Sequence, residues 1–270
     1  MPEITLYLKP DPHDPNTALV FVSGMLGEKP IEFLLDTGAA RTWLPSGPHT
    51  AGLERIGEER SSGLFAEEQA ETARVPLLQV GESGRENFPV VVGDPEHMPL
   101  GGLLGMDYLI DHRCRFQFSR DRLILDGDPP ALDPARLLPV AIDDRNHIYL
   151  DAAWGDDRAR AVWDTGAGIT VVGKGLVQRR PDLFQKLGAT TGTDGTGVQQ
   201  ETPLYRMEGP SFGPWGFRSC AAAAVDLDAV NRRIETPMDL ILGFNLIREA
   251  DWYFDFPGRR WAITRGPERS

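Results

Sequence analysis

The sequence has little lysine, little cysteine and no long apolar run. Only four of its 28 basic residues are lysines, and 40 acidic residues bring the formal net charge to −12. Because this charge repels a phosphate backbone and no Lys/Arg run offsets it, we expect no nucleic acid partner. No stretch approaches the roughly 20 apolar residues that cross a bilayer, so we expect no membrane insertion.

The N-terminus and the cysteines bear on location. The segment MPEITLYLKPDPHDP has neither the basic start nor the apolar core of a secretory signal. The two cysteines, Cys114 and Cys220, favour cytosolic thiols, and one disulfide stays an open alternative at this point. We therefore expect a cytoplasmic protein.

The composition is that of an ordinary globular protein. Of the 270 residues, 41% are hydrophobic and 25% are charged, which excludes a disordered chain. At roughly 100–200 residues per domain, the chain contains one large domain or two small ones.

One tripeptide occurs twice and divides the chain in two. Asp36-Thr37-Gly38 lies in LLDTGAART, and the same tripeptide starts at Asp164 in VWDTGAGIT, 128 residues later. A second pair of segments follows the same order, GLLGMD at residues 102–107 and LILGFN at residues 240–245. An internal repeat of this kind predicts two similar units.

A proline-rich segment separates the two copies. Three prolines fall within residues 127–134, and proline breaks helices and sheets alike. We therefore predict an N-terminal lobe at residues 1–127, a linker at 128–136 and a C-terminal lobe at 137–270.

Most segments alternate between apolar and polar residues, as strands do. We predict strands at residues 4–8, 18–22, 147–150, 204–207 and 217–225, and a hairpin from 75 to 92. Short helices are predicted at 106–111 and 244–249. The fold class is therefore predicted to be all-β, in two similar lobes.

The repeated aspartates suggest an acid–base pair. One carboxylate per lobe would meet at the pseudo-two-fold axis, where two adjacent carboxylates share one proton. The ionised member would draw a proton from a water that attacks an amide carbon, and the protonated member would protonate the carbonyl oxygen. Such chemistry needs no metal and no cofactor. A single Asp-Thr-Gly would more often be a plain turn, but two apolar-flanked copies favour a site.

These four segments resemble the aspartic proteases, and among them the retropepsins, as a single chain with both halves. The resemblance implies two β-barrel lobes related by a pseudo-two-fold axis, with short helices. It makes Asp36 and Asp164 the catalytic pair of an aspartic endopeptidase. The supporting residues that it implies are the hydroxyls of Thr37 and Thr165, the backbones of Gly38 and Gly166, and Gly105 and Gly243 packed under the catalytic turns.

The sequence departs from the retropepsin pattern beside each turn. Retropepsins commonly have Asp after DTGA and Arg after the later glycine. Here Ala40 and Gly168 replace the acid, while Met106 and Phe244 replace the base. We therefore expect the ion pair to be replaced as a unit by an apolar junction. Arg41 and Ile169 are predicted to shape unlike substrate pockets.

Retropepsin-like enzymes also close a flap hairpin over the substrate. The candidate flaps are residues 58–64, with Gly63, and residues 190–197, with Gly195; both glycines are predicted to contact substrate. The alternative for each segment is a plain surface loop.

Together these features predict a monomer that hydrolyses peptide bonds of a peptide or protein substrate. The alternative is a non-catalytic or partner-gated peptide-binding module on the same fold. The missing Asp/Arg pair favours that alternative, whereas the retention of both Asp-Thr-Gly triplets favours catalysis.

Overall fold

Strands make up most of the described chain. The computed structural model describes residues 3–12, 14–62, 67–95, 101–132, 134–193 and 199–268. Within them the strands, in chain order, are β1 Glu3–Thr5, β2 Tyr7–Pro10, β3 Ala18–Leu26, β4 Lys29–Leu35, β5 Trp43–Pro45, β6 Glu54–Ser62, β7 Glu67–Val80, β8 Ser83–Gly93, β9 Gly102–Leu104, β10 Arg113–Gln117, β11 Arg122–Leu125, β12 Leu138–Pro139, β13 Ala141–Ile142, β14 Ile148–Trp154, β15 Asp157–Trp163, β16 Thr170–Gly173, β17 Phe184–Thr193, β18 Gln199–Met207, β19 Ser211–Phe212, β20 Trp215–Gly216, β21 Cys220–Val225, β22 Leu240–Leu242, β23 Asp251–Asp255 and β24 Arg260–Arg265. The α-helices described are α1 Met106–Leu109, α2 Lys174–Arg179, α3 Asp228–Asn231 and α4 Phe244–Ile247.

The strands form three sheets, one for each lobe and one shared. The N-terminal sheet has the order β2-β3-β4-β9-β5-β8-β7-β6, and a further β3–β7 pairing curls it towards closure. The C-terminal sheet has the order β17-β18-β21-β16-β22-β15-β14-β19-β20, with β13 beside β14. In both lobes the strand before the Asp-Thr-Gly turn pairs in parallel with the strand before the later glycine, β4 with β9 and β15 with β22.

The shared sheet joins the two halves of the chain. Its order is β1-β11-β10-β23-β24-β12, and its central pair, β10 with β23, comes from opposite sides of the predicted linker. The predicted all-β, two-lobe class is confirmed. The domain boundaries stay a prediction, although the shared sheet shows that both halves contribute to one continuous layer.

An aromatic cluster packs on the inner face of the shared sheet. In β10 the residues alternate, so that Cys114 and Phe116 are buried and their neighbours are half-exposed. The Phe116 ring lies 4.8 Å from Trp163 and the Trp163 ring lies 4.9 Å from Phe254, centroid to centroid. All three rings are fully buried. Because Trp163 directly precedes Asp164, this core supports one of the two Asp-Thr-Gly turns from below.

Several predicted elements match, and some boundaries were wrong. The strand predicted at residues 4–8 is split, because the backbone N–H of Leu6 bonds to Asp121 O at 2.9 Å and the chain passes from the shared sheet to the N-terminal one. The strand predicted from residue 217 begins at Cys220, since the short pair β19–β20 occupies the turn before it. Helices α1 and α4 are shorter than predicted, and α2 was not predicted.

Both cysteines are free thiols within the described residues, Cys114 buried and Cys220 partly buried. Burial raises the pKa of both thiols, that of Cys220 to about 12. In the part of the chain that the structure describes, no helix has the length and apolar character to cross a membrane.

We predict that Phe254→Ala lowers the free energy of unfolding by about 3–5 kcal/mol, because it opens a cavity in the aromatic core under the shared sheet. Urea denaturation measures this cost. Leu187→Ala is the control, since the Leu187 side chain is 48% exposed and should cost about 0.5 kcal/mol or less. Equal costs for the two variants would show that the aromatic core does not hold the shared sheet together.

Candidate active site

Each aspartate follows a strand whose last three residues are buried. Asp36 comes directly after β4, and its backbone N–H bonds to Leu104 O at 3.0 Å. Asp164 comes after β15 in the same way, and its N–H bonds to Leu242 O at 3.1 Å. The parallel neighbours β9 and β22 therefore fix the points at which the two chains turn. Both aspartates stay partly exposed.

The two carboxyl groups lie side by side and share one backbone donor, the Gly38 N–H. Gly38 N–H donates to Oδ1 of Asp36 at 2.9 Å and to Oδ1 of Asp164 at 3.1 Å. Gly166 N–H donates to Oδ1 of Asp164 at 2.8 Å. A Cβ at Gly38 would lie 2.4 Å from the Asp164 carboxylate, and one at Gly166 would lie 2.3 Å from Cγ of Asp36. Only glycine therefore allows each turn to approach the opposite carboxyl group this closely.

The two threonines of the tripeptides lock the turns together. Thr37 N–H donates to Thr165 Oγ at 3.2 Å, and Thr165 N–H donates to Thr37 Oγ at 3.0 Å. Each hydroxyl then donates across to the other half, Thr37 to Trp163 O at 3.0 Å and Thr165 to Leu35 O at 2.6 Å. Both threonines are fully buried. These four bonds, which we call the threonine clasp, hold the carboxyl groups in register.

The later glycines lie under the residues that follow each tripeptide. A Cβ at Gly105 would lie 2.5 Å from the carbonyl group of Arg41, and one at Gly243 would lie 2.3 Å from that of Ile169. Backbone hydrogen bonds then join the two segments of each half. Met106 N–H donates to Ala39 O at 2.8 Å, and Phe244 N–H donates to Ala167 O at 2.7 Å.

A second set of hydrogen bonds between these segments, made by side chains, was not predicted. Thr42 donates its N–H and its hydroxyl to Asp107 Oδ1, at 2.8 and 2.7 Å. In the other half Thr170 donates the same two groups to Asn245 Oδ1, both at 2.8 Å. The signal was in the sequence: each threonine lies six residues after its aspartate, and Asp107 and Asn245 each lie two residues after the later glycine.

The expectation of a wholly apolar junction beside each turn was wrong for the N-terminal half. Arg41 Nε lies 3.5 Å from Asp107 Oδ2, so an ion pair exists one residue further along each segment. Burial raises the pKa of Asp107, and the bonds from Thr42 and the charge of Arg41 oppose that rise. In the C-terminal half the equivalent residues are Ile169 and Asn245, which carry no charge and form no ion pair. Arg41, predicted to shape a substrate pocket, is thus also part of this junction.

Both carboxyl groups, which together we call the dyad, have raised pKa values. Burial raises the pKa of Asp36 well above its ordinary value, and the charge of Asp164 and their shared hydrogen bond raise it further. Burial also raises the pKa of Asp164, but the Gly166 N–H, the bond from Asp36, the Gly38 N–H and the charge of His147 counteract the rise. Burial and the proximity of the two carboxyl groups therefore favour one proton shared between them.

The walls beside the two turns differ. Trp43 is buried with Ala70, Val91 and Leu103, beside Ala39. Its counterpart 128 residues later is Val171, which packs in a cluster beside Ala167. Trp163 belongs to the core and does not line the dyad's open side.

Two long hairpins carry the predicted flap segments. The β6–β7 ladder extends to the pair Ser62 and Glu67, and the β17–β18 ladder extends to Thr193 and Gln199. The hairpin tips, with Gly63 and Gly195, lie outside the described residues. Among the residues that are described, no group of three His, Cys, Asp or Glu side chains is placed to hold a metal ion.

We predict that Thr37→Val destabilises the protein by about 2–6 kcal/mol, because it leaves the Thr165 N–H and the Trp163 carbonyl without partners, at about 1–3 kcal/mol each. Thr37→Ser keeps the hydroxyl and should cost about 1 kcal/mol for the lost methyl group. Urea denaturation of both variants checks this. A serine variant as unstable as the valine variant would mean that packing, not the clasp, accounts for the loss.

We also predict that the free energy of unfolding falls as pH rises above the ordinary aspartate pKa of 3.8, until the pH passes the raised pKa of Asp36. In that window the folded protein holds a proton that the unfolded chain has lost, so the slope reaches about −1.4 kcal/mol per pH unit. Asp36→Asn should remove most of this slope relative to the wild type. Urea titrations at several pH values measure it, with the exposed Asp151→Asn as control. Parallel curves for wild type and Asp36→Asn would contradict the shared proton.

Comparison with known proteins agrees with this geometry. Residues 22–108 match a family model described as aspartyl protease, and this segment contains Asp36, Thr42, Gly105 and Asp107. The second Asp-Thr-Gly segment lies outside the matched residues. No curated protein matches the chain by sequence.

Among solved structures, conglutin gamma, a basic 7S globulin from lupine seeds, has a similar fold. The TM-score is 0.63 at 12% identity, over 98% of this chain and 96% of that one. At this identity the similarity concerns the fold alone. The sequence match to the aspartyl protease model is confined to residues 22–108.

Proposed function

We propose that the protein is an aspartic endopeptidase with two retropepsin-like halves in one chain. The observation that carries the proposal is that Asp36 and Asp164, one carboxyl from each half, both accept the Gly38 N–H and stay partly exposed. The matched family model and the threonine clasp support it.

The two carboxyl groups divide the work of an acid and a base. The ionised member takes a proton from the attacking water, and the protonated member gives its proton to the carbonyl oxygen of the scissile amide. The resulting gem-diol collapses as a proton passes to the leaving nitrogen, and the dyad returns to one shared proton. The Gly38 and Gly166 carbonyls would bind the substrate backbone, as the family resemblance implies.

The surroundings of the dyad bear on pH. Ala39 and Ala167 have no side-chain donor that would stabilise the charged carboxylates, so we expect an optimum from mildly acidic to neutral pH. Because the two-fold relation lies within the chain, the enzyme should act as a monomer.

The second candidate is a peptide-binding module without turnover. The fold is shared with a protein named as a seed globulin, and the retropepsin Asp/Arg pair is absent at its usual positions. Against it, binding alone does not require two carboxyl groups held in contact, which costs stability.

We predict that the wild type cleaves members of a diverse peptide library between pH 3 and 8, and that Asp36→Asn and Asp164→Asn each abolish cleavage. The expected loss is at least about 10³-fold, because each variant removes either the acid or the base. The control is Asp151→Asn, which should cleave like the wild type. If folded wild-type protein cuts no peptide at any pH, the binding module replaces the protease.

A further inference from the structure

A cavity lies on the face of the shared sheet that points away from the aromatic cluster. In β10 the buried Phe116 packs against Trp163, while the alternating neighbours Arg115 and Gln117 are half-exposed on the opposite face. Both of these side chains line a cavity of about 440 Å³. Its volume falls within the range of small-molecule sites, roughly 300–1,000 Å³. Neither aspartate of the dyad is among the described residues that line it, so the cavity is separate from the candidate active site.

Both halves of the chain contribute to the wall of this cavity. The wall contains Arg115, Gln117 and Arg120 from the N-terminal half, Pro130 from the predicted linker, and Asp251 and Arg265 from the C-terminal half. Because these residues come together only when the shared sheet forms, a ligand that touches both halves binds the folded chain and not the unfolded one.

The carboxylate in the wall is already held by the protein. Asp251 is 5% exposed, and its two oxygens accept the Ser119 N–H at 3.0 Å and the Ser119 hydroxyl at 2.6 Å. The Thr264 hydroxyl, which also lines the cavity, donates to Asp251 O at 3.2 Å. These bonds tie the two halves together at this point, so this part of the wall is preformed. They also occupy the carboxylate, which leaves the arginines for another partner.

The arginines of the wall keep most of their charge uncompensated. Arg115 donates to the backbone oxygen of Asp128, a bond that supplies no countercharge. Arg120 is exposed at the end of a short 3₁₀ turn, and within the described residues no carboxylate pairs with its guanidinium. Arg265 Nη2 lies 2.8 Å from Glu268 Oε1, but the two side chains are 45% and 80% exposed, and such exposed pairs are weak. Three guanidinium groups and one carboxylate therefore form a positive site on a chain whose net charge is −12.

This set of donors matches phosphate and carboxylate groups. A guanidinium presents its N–H donors in a planar fork that binds either group through two parallel hydrogen bonds. A single oxyanion fills only a small part of about 440 Å³, and guanidinium groups enter from both halves of the chain. The cavity therefore fits a molecule with at least two anionic groups, and the Gln117 amide adds a donor and an acceptor for its other polar parts.

We propose that this cavity, which we call the arginine cavity, binds a small organic polyanion whose phosphate or carboxylate groups pair with Arg115, Arg120 and Arg265. The bound molecule bridges the two halves of the chain across the outer face of the shared sheet. The proposal is independent of the proposed function, because neither the cavity nor its test involves the dyad.

The test is isothermal titration calorimetry of the full chain with inorganic phosphate, pyrophosphate, acetate and citrate, at one ionic strength and with sodium chloride as the reference. We expect saturable 1:1 binding of pyrophosphate or citrate, tighter than that of the matching anion with a single group. The series that binds distinguishes a phosphate ligand from a carboxylate ligand. Absence of saturable binding by all four anions would overturn the proposal.

Variants of the wall locate the binding. Arg120→Gln and Arg265→Gln should each weaken it about tenfold, the effect of losing one charge-assisted hydrogen bond. Arg120→Lys should lose less, because lysine keeps the charge but not the planar fork. Glu268→Gln should instead tighten binding by up to about fivefold, because it removes the carboxylate that competes for Arg265. Arg120 and Arg265 are exposed, so their variants should fold.

The matched control is Arg74→Gln, in β7 of the N-terminal sheet. The Arg74 side chain is 44% exposed and lies 3.7 Å from a Glu54 side chain that is 70% exposed, so it resembles Arg265 in exposure and pairing. The control removes one positive charge and should bind the anion as the wild type does. Equal weakening in Arg74→Gln and Arg120→Gln would show attraction to the overall charge rather than to the cavity, and would overturn the proposal.

Stability gives a second readout. The tighter of pyrophosphate and citrate should raise the urea midpoint of the wild type, and raise it less in Arg120→Gln, because the ligand binds only the folded chain. Asp36→Asn should bind the anion as tightly as the wild type does. If peptide cleavage fails while anion binding persists, only the protease proposal fails, and if anion binding fails, only the arginine cavity does.

Discussion

The contact between the Asp36 and Asp164 carboxyl groups is the constraint on which the rest of the structure depends. Two carboxylates in contact repel each other unless they share a proton, so the folded chain must hold them together against that repulsion. The threonine clasp supplies four buried hydrogen bonds at this point, each joining one half of the chain to the other. The dyad and the clasp therefore form one unit. The hydrogen bonds of the clasp oppose the repulsion between the carboxyl groups, and they would break if either turn moved.

Larger elements hold the clasp in turn. The strands before the tripeptides are buried at their ends and pair in parallel with β9 and β22, so neither turn can slide along its sheet without breaking backbone bonds. Gly105 and Gly243 let those neighbouring chains pass directly beneath the turns. Below them, the aromatic core around Trp163 fastens both halves to the shared sheet. The aromatic core therefore fixes the positions of the carboxyl groups through rigid, hydrogen-bonded backbone.

The sequence allowed prediction of the parts of the site that are local. An apolar strand followed by Asp-Thr-Gly predicts the geometry of the turn from a few residues, and the second copy predicts the partner carboxyl group. The bond of Thr42 to Asp107 was missed because the two residues are 65 positions apart and neither type is unusual. The split at Leu6 was missed because alternation predicts a strand but not the sheet that it joins. The Arg41–Asp107 ion pair was missed because the expected partners were sought one residue earlier in each segment.

A site built from two copies in one chain can distribute different tasks between equivalent positions. Two identical subunits related by a two-fold axis present the same residues to both carboxyl groups, so no fixed residue can decide which carboxyl keeps the proton. Here equivalent positions differ: Asp107 corresponds to Asn245, Trp43 to Val171, and Leu19 to His147. The clasp, which must be symmetric to align the turns, is the same in both halves. The differences lie in the layer around it, where the two halves can change without moving either carboxyl group.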